Sequence, residues 1–215
     1  MSVLDFYKTL RLLDLFCGAG GAAVGYSRAG FDEIVGVDNR PMQRYPFTFV
    51  QADALEYVAK HGKEFDAIHA SPPCQRYSVM SRRLDHPDLY EITRNALLET
   101  AKPYIIENVI GAPYTHGIVL CGSMFGLRVR RHRNFETSWL IFSSLQCDHR
   151  GQGRPITVTG QGGGNPRPHS WKGVKSEWPA LMGMPWATPD EATQGIPPVY
   201  TEFIGTQLLK FLQGE

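Results

Sequence analysis

Cys74 stands in Ala70-Ser71-Pro72-Pro73-Cys74-Gln75, just past a short apolar run that reads as a buried strand. Two prolines restrict the backbone ahead of it, which limits the freedom of the thiol and favours a fixed line of attack. Attack requires the thiolate, and that form needs an electropositive setting. Arg76, Arg82 and Arg83 follow within the same polar stretch and can supply one. The structural alternative is a cysteine packed as a small hydrophobe, the reading kept for Cys17, Cys121 and Cys147. Cys147-Asp148-His149 invites a metal, but no second ligand pair at a recognisable spacing accompanies it, so no metal site is expected.

A second cluster lies near the start. In Asp14-Leu15-Phe16-Cys17-Gly18-Ala19-Gly20-Gly21 an apolar run empties into glycines and then into a helix-like stretch. Such a turn lets backbone approach a ligand where side chains would clash. Asp38 ends the next apolar run about 20 residues on, where a carboxylate accepts both hydroxyls of a ribose. Asp53, after the third run, is placed to accept from an adenine amino group. The spacing alone does not separate a nicotinamide dinucleotide from S-adenosylmethionine. It also lacks the full GxGxxG pattern, because the sixth position counted from Gly18 is Ala23.

The elements that must position these residues alternate. Strands are expected at 12–16, 34–37, 65–69 and 104–106, a strand or bend near 48–50, and helices at 22–29, 54–60 and 89–100, the pattern of βαβ units around a parallel sheet. A further strand is expected within 131–142. Residues 75–88 have the composition of a mobile loop, and 143–179, rich in Gly, Pro and Ser, resists assignment. A closing helix is expected at 199–212, introduced by Pro197-Pro198.

Composition sets wider bounds. The chain has 215 residues, 42% of them hydrophobic, enough for one sizeable core and too few for two ordinary domains. Its 22 Lys and Arg nearly balance 21 Asp and Glu, so any basic footprint for nucleic acid has to be local. Four scattered cysteines without a CxxC pair or a secretory leader fit a reduced, cytoplasmic protein. No apolar run reaches the roughly 20 residues of a membrane span, and no internal repeat is apparent.

Taken in order, five segments resemble the cytosine-5 DNA methyltransferase family over nearly the whole chain. Leu13 to Gly21 is similar to its cofactor turn, and Ser71-Pro72-Pro73-Cys74-Gln75 with Ser78 to its nucleophile loop. Glu107-Asn108-Val109 is similar to the base-binding strand end, Arg131-His132-Arg133 to the arginine motif, and Gln194-Gly195-Ile196-Pro197-Pro198 to the closing motif. The resemblance implies an α/β, Rossmann-like S-adenosylmethionine-dependent methyltransferase fold with a small irregular C-terminal subregion, its final helix packed beside the first βα unit. It implies a core at 1–142, a reduced recognition segment at 143–178 and a completing segment at 179–215, together one domain.

It also implies roles. Cys74 adds to carbon 6 of a double-stranded DNA cytosine turned out of the stack, Glu107 binds ring nitrogen 3 and the exocyclic amine, and Arg131 and Arg133 hold the base and its adduct. Asn108 shapes the turn, and a water takes the last proton. S-adenosylmethionine meets Phe16, Gly18, Gly20, Gly21, Asp38, Asp53, Pro72 and Gln194. Gln75, Arg76, Ser78, Arg82 and Arg83 meet DNA, and a monomer is expected. Without the resemblance, Glu107 reads as a strand-end cap and the two arginines as a solvated edge.

Departures from the family pattern are equally specific. The long recognition region is nearly absent: Arg154-Pro155-Ile156-Thr157-Val158 follows soon after the arginine motif as the start of the penultimate motif, and the rest resumes at Trp178 after a glycine-rich insertion at 161–177. That insertion carries Arg167, His169, Trp171, Lys172 and Lys175, which form either a reduced DNA-reading surface or a plain surface loop. Val129 stands where the arginine motif usually begins with Gln, and Thr193-Gln194 where the closing motif has Gly-Asn. Cytosine in RNA or a free nucleotide, transfer of a modified group in place of methyl, and a catalytically silent DNA-binding protein of the same fold remain open. So small an enzyme suits a small genome such as a phage's.

Overall fold

A computed structural model describes residues 9–73, 88–114, 116–158 and 173–214. Seven strands form one sheet: β1 (Arg11–Leu15), β2 (Glu33–Asp38), β3 (Thr48–Gln51), β4 (Ala67–Ala70), β5 (Tyr104–Val109), β6 (Gly117–Leu120) and β7 (Arg133–Thr137). Their order is β3-β2-β1-β4-β5-β7-β6. The first five run parallel, whereas β7 is antiparallel to both of its neighbours. The expected parallel sheet is therefore a mixed one with an antiparallel edge. Strand order reverses between β1 and β4, and the carboxyl ends of these strands form the edge where ligands bind in open α/β sheets.

Strands buried on both faces need apolar residues at every position, which is why the buried positions of β1 and β4 read as continuous runs with one polar exception each, Asp14 and His69. Helices α1 (Gly21–Ala29) and α6 (Pro198–Gln213) cover one face, and α2 (Ala54–His61) and α3 (Leu89–Thr100) the other. Helix α6 lies directly on α1, as the resemblance implied. A Cβ on Gly25 would come within 2.0 Å of Thr201 Oγ1, and one on Gly205 within 2.7 Å of the Ala29 Cβ. The Thr201 hydroxyl donates to the Ala22 carbonyl at 2.8 Å across this contact.

Two short helices, α4 (Trp178–Leu181) and α5 (Pro189–Gln194), build the C-terminal subregion with Met182, Met184 and Ala187. Helix α5 starts with a capping box in which Thr188 and Glu191 satisfy each other's backbone N–H groups. The subregion sits over the glycine turn, where the Trp186 indole donates to the Ala19 carbonyl at 2.7 Å.

Most boundaries shift by a residue or two from the sequence expectation, and two differences are larger. Strand β5 runs on through Glu107 and Asn108 to Val109, because β7 pairs with it to that point, Val109 opposite Arg133. Strand β6 was not anticipated; its four residues, Gly117–Leu120, are too short for a clear alternation and are held by pairing with β7. Residues 74–87, which hold all but the last residue of the mobile loop expected at 75–88, and 159–172 lie outside the described residues. Among the described residues, no helix is long and apolar enough to cross a membrane.

Helix α3 is fastened to β7 by a buried ion pair. Arg94 grips Glu136 with both ends of its guanidinium, at 2.8 and 2.6 Å, and the Tyr90 hydroxyl donates to the same carboxylate. Glu136 has no exposure and Arg94 little. Such a pair costs much to break because the surviving charge stays desolvated. Arg94→Ala is expected to lower unfolding free energy by about 3–5 kcal/mol, read from urea midpoints, with Arg94→Lys intermediate because it loses the two-pronged geometry.

Candidate active site

Four strand ends converge. At the end of β1, Phe16 takes a positive φ of 55° and Gly18 one of 50°, turning the chain sharply before α1. A Cβ at Gly18 would meet nothing within 4 Å, so the turn opens onto free space. Gly20 and Gly21 differ from it. At Gly20 a Cβ would strike Pro46 and Tyr45, and at Gly21 the Ile196 carbonyl at 2.3 Å. These two glycines allow close packing under the turn, while Gly18 lines the opening.

Asp38 ends β2 beside this turn. One carboxylate oxygen accepts the Gly18 N–H at 3.2 Å and the other the Arg40 N–H at 3.0 Å. Arg40 reaches in turn toward Gln194 at 3.4 Å, which brings the end of α5 to the same edge. Asp53 is the N-cap of α2, its Oδ1 accepting from Leu55 and Glu56 N–H. Its position immediately before a helix was a cap signal legible in the sequence.

Past β4, Ser71 and Pro72 lead toward Cys74. The Asn108 side-chain amide donates to the Pro72 carbonyl at 3.0 Å, so a residue of β5 holds the segment that delivers the cysteine. Cys74, Gln75, Arg76, Ser78, Arg82 and Arg83 themselves lie outside the described residues.

Glu107 is buried near the end of β5. Arg133, its diagonal neighbour on β7, lies with Nε 2.8 Å from Glu107 Oε1. Oε1 pairs with that charge and has no well-formed hydrogen bond among the described residues. Burial raises the Glu107 pKa above its ordinary value, opposed by the charges of Arg133 and Arg131 and by its polar contacts with Ser71 and Arg133. A buried carboxyl near a strand end, with a raised pKa and one oxygen lacking a well-formed hydrogen bond among the described residues, suits a ligand that offers a donor.

The two arginines divide their work. Arg131, itself at a positive φ of 32°, donates to the carbonyls of Gly195, Thr193 and Val158. It thereby ties the C-terminal subregion to the arginine strand, whereas Arg133 faces Glu107. The side chain that the resemblance placed with Arg133 on the base is in this structure a support for its surroundings.

A buried chain of polar groups under the site has no counterpart in the sequence reading. The Tyr26 hydroxyl contacts His69 Nδ1 at 3.0 Å, and His69 Nε2 contacts Ser71 Oγ at 2.9 Å. Burial pushes the His69 pKa down to about 3, so the imidazole is neutral. One proton order satisfies every contact: Tyr26 donates to Nδ1, Nε2–H donates to Ser71, and the Ser71 hydroxyl is left to donate to Glu107. A histidine inside the otherwise apolar Ala67–Ala70 strand was the available clue. Asp14, on the same face, accepts from the Tyr45 hydroxyl at 3.1 Å, and its Oδ1 has no hydrogen-bond partner among the described residues.

With this geometry in view, comparison with known proteins identifies the family. Residues 10–112 match the model of the C-5 cytosine-specific DNA methylases. The type II methyltransferase M.XorII of Xanthomonas oryzae pv. oryzae is 31% identical over 118 residues, 46% of this chain and 28% of that protein. M.HgiGI of Herpetosiphon aurantiacus is 30% identical over 86 residues, 34% of this chain and 67% of that protein. The match thus spans little more than a quarter of the length of relatives such as M.XorII and M.AgeI of Thalassovita gelatinovora.

Among solved structures, a putative DNA modification methyltransferase encoded within an E. coli prophage superposes with a TM-score of 0.64 at 17% identity, covering 96% of this chain and all of that one. The S. pombe Dnmt2 methyltransferase gives 0.65 at 13% identity, covering 95% and 99%. These two likenesses speak for the fold, which is Rossmann-like. The chain belongs to the C-5 cytosine-specific DNA methylase family, whose methyl donor is S-adenosylmethionine. The open space at Gly18 and the carboxylate of Asp38 beside it fit that cofactor.

Asp14 makes part of this site testable by pH. Burial raises its pKa from 3.8 to about 7, against the Tyr45 hydrogen bond and with the Asp38 charge. The folded chain therefore keeps a proton here that the unfolded chain releases, and stability from this group falls as pH rises between those two values. Asp14→Asn is expected to remove that part of the slope, a difference of at most about 4 kcal/mol between wild type and variant across the window. Urea midpoints of both proteins at a series of pH values read it directly.

Proposed function

We propose that the chain transfers a methyl group to carbon 5 of cytosine in DNA, with Cys74 as the nucleophile. The observation that carries this reading is the buried Glu107 carboxyl, held beside Arg133 with Oε1 unmet, on the same sheet edge as the open glycine turn and the strand that leads to Cys74.

Carbon 5 of cytosine is a weak nucleophile until a thiolate adds at carbon 6. Cys74 supplies the thiolate, and the electron pair it pushes into the ring collects toward nitrogen 3. Glu107, whose pKa burial raises, hydrogen-bonds nitrogen 3 as that charge develops and accepts from the exocyclic amine through its other oxygen. Arg133 fixes the Glu107 side chain, and the Tyr26, His69 and Ser71 chain orients it from below. S-adenosylmethionine, when bound, supplies the electrophilic methyl group. Asp38 binds the ribose hydroxyls, exchanging its contact with Gly18 for them, and Phe16, Gly20, Gly21, Asp53, Pro72 and Gln194 complete the surroundings. A water accepts the proton released from carbon 5, after which Cys74 leaves carbon 6 and the thiolate is restored.

A cytosine inside a duplex is out of reach of such a site, so the base swings out of the stack to react. Gln75, Arg76, Ser78, Arg82 and Arg83 contact the strand it leaves. The segment at 143–178 takes the place of a long recognition region, and the expected consequence is a short recognised context.

The test is incubation of the protein with S-adenosylmethionine and unmodified double-stranded DNA, followed by mapping of 5-methylcytosine at single-base resolution. Wild type is expected to methylate within a short consensus, and Cys74→Ala to abolish the product. Glu107→Gln is expected to lower kcat by about 100-fold or more with KM for DNA little changed. Methylation of RNA or nucleotides in place of DNA would overturn the substrate, and product from Cys74→Ala would overturn the nucleophile. Asp38→Ala is expected to weaken cofactor binding by about 10-fold or more, measured by calorimetry without DNA.

A further inference from the structure

Away from the cofactor edge, the turns around β6 and β7 bring together four side chains that the methyl-transfer chemistry does not use. Cys121 follows β6, His132 precedes β7, and Cys147 and His149 come from the irregular segment after β7. Their donor atoms all lie within 4.8 Å of one another. Cys121 Sγ is 3.3 Å from His149 Nε2, Cys147 Sγ is 3.1 Å from the same nitrogen, and His132 Nε2 is 3.2 Å from Cys147 Sγ. A zinc ion with its usual bond lengths to sulfur and nitrogen sets tetrahedral S···N edges of roughly 3.5 Å. The observed spacings are close to that edge.

Two further observations point the same way. The Ser123 hydroxyl donates to Cys121 Sγ at 3.3 Å and approaches Cys147 Sγ at 3.8 Å, an outer contact of the kind that supports metal-bound thiolates. The segment that carries Cys147 and His149 has no helix or strand of its own between β7 and residue 150. It nevertheless passes its two donors to the same point as a fully buried cysteine from another turn.

We propose that Cys121, His132, Cys147 and His149 form a closed, structural zinc(II) site. The donor set is two thiolates and two imidazoles, which selects zinc over hard cations, and four protein ligands leave no open position for a reacting water. Binding displaces the thiol protons of Cys121 and Cys147 to solvent, and both imidazoles ligate in their neutral form through Nε2. The ion fastens the start of the reduced recognition segment to the turn that leads into Arg133. The sequence reading expected no metal because Cys147 and His149 have no companion pair nearby; the companions are Cys121 and His132, brought in by the β6 and β7 hairpin.

The experiment uses the full chain purified without added chelator, with metal content measured by mass spectrometry after gel filtration. About one zinc per chain is expected. Replacement of the zinc by cobalt(II) is expected to give visible bands of tetrahedral intensity and thiolate-to-cobalt charge transfer in the near ultraviolet. Cys147→Ser, at an exposed ligand position that the core does not require, and His149→Asn are each expected to remove most of the zinc and the charge-transfer intensity. Cys74→Ala is expected to retain both, which separates this site from the nucleophile. Chelation is expected to lower the melting temperature of wild type by several degrees and to leave that of Cys147→Ser unchanged. Wild type without zinc and without a cobalt spectrum, zinc unaffected by both ligand variants, or a Cys121–Cys147 disulfide in the freshly isolated reduced protein would each overturn the proposal. Since metal content is read without any substrate, the result is independent of whether the chain methylates DNA.

Discussion

The contact between the first helix and the last is the constraint on which the site depends. Gly25 has no room for a methyl group because Thr201 and the Pro198 carbonyl already occupy that place, and Gly205 is pressed in the same way against Ala29 and Tyr26. Helices packed this closely exclude water from both faces and fix the position of everything joined to them. Immediately before α6, Pro197, Ile196 and Gly195 are thereby set down beside the glycine turn. Arg131 can then reach the carbonyls of Gly195 and Thr193, and Trp186 can close on Ala19.

From that closure follows the polar order of the strand ends. Glu107, His69 and Asp14 lie on the sheet face covered by α1 and α6, where a charge is costly unless paired. Each group meets that cost differently. Glu107 is paired with Arg133, His69 stays neutral between Tyr26 and Ser71, and Asp14 is pushed toward protonation with one hydrogen bond from Tyr45. On the opposite face, Glu136 takes Arg94 as its partner. Buried polar groups arranged in this way fix one register of β5 against β7, because a slip by one residue would send Glu107 and Arg133 to opposite faces.

Much of this was legible beforehand. Apolar runs bounded by turns placed every strand but β6 in the right order, β3 as a strand or bend, and apolar spacing bounded α3 at Leu89 and Thr100, where Asp88 caps its start. The glycine turn and Asp38 were found from spacing, and both stand at one edge. Strand β6 was missed because four residues give no period, and Asp53 was read for a ligand without its second role, the cap of α2. His69 drew no attention because the partners that explain it, Tyr26 and Ser71, are supplied by a helix and a strand end that meet only in the fold.

Local order along the chain was determined by the sequence alone: hydrophobic period, glycine turns and helix caps act over a few residues, and their residue types are visible wherever the chain goes. The seating of α6 on α1, the unequal roles of Arg131 and Arg133, and the meeting of Cys121, His132, Cys147 and His149 were decided by tertiary structure. Each depends on residues far apart in the chain, and their separation is set by strand pairing and helix packing, which no local spacing encodes.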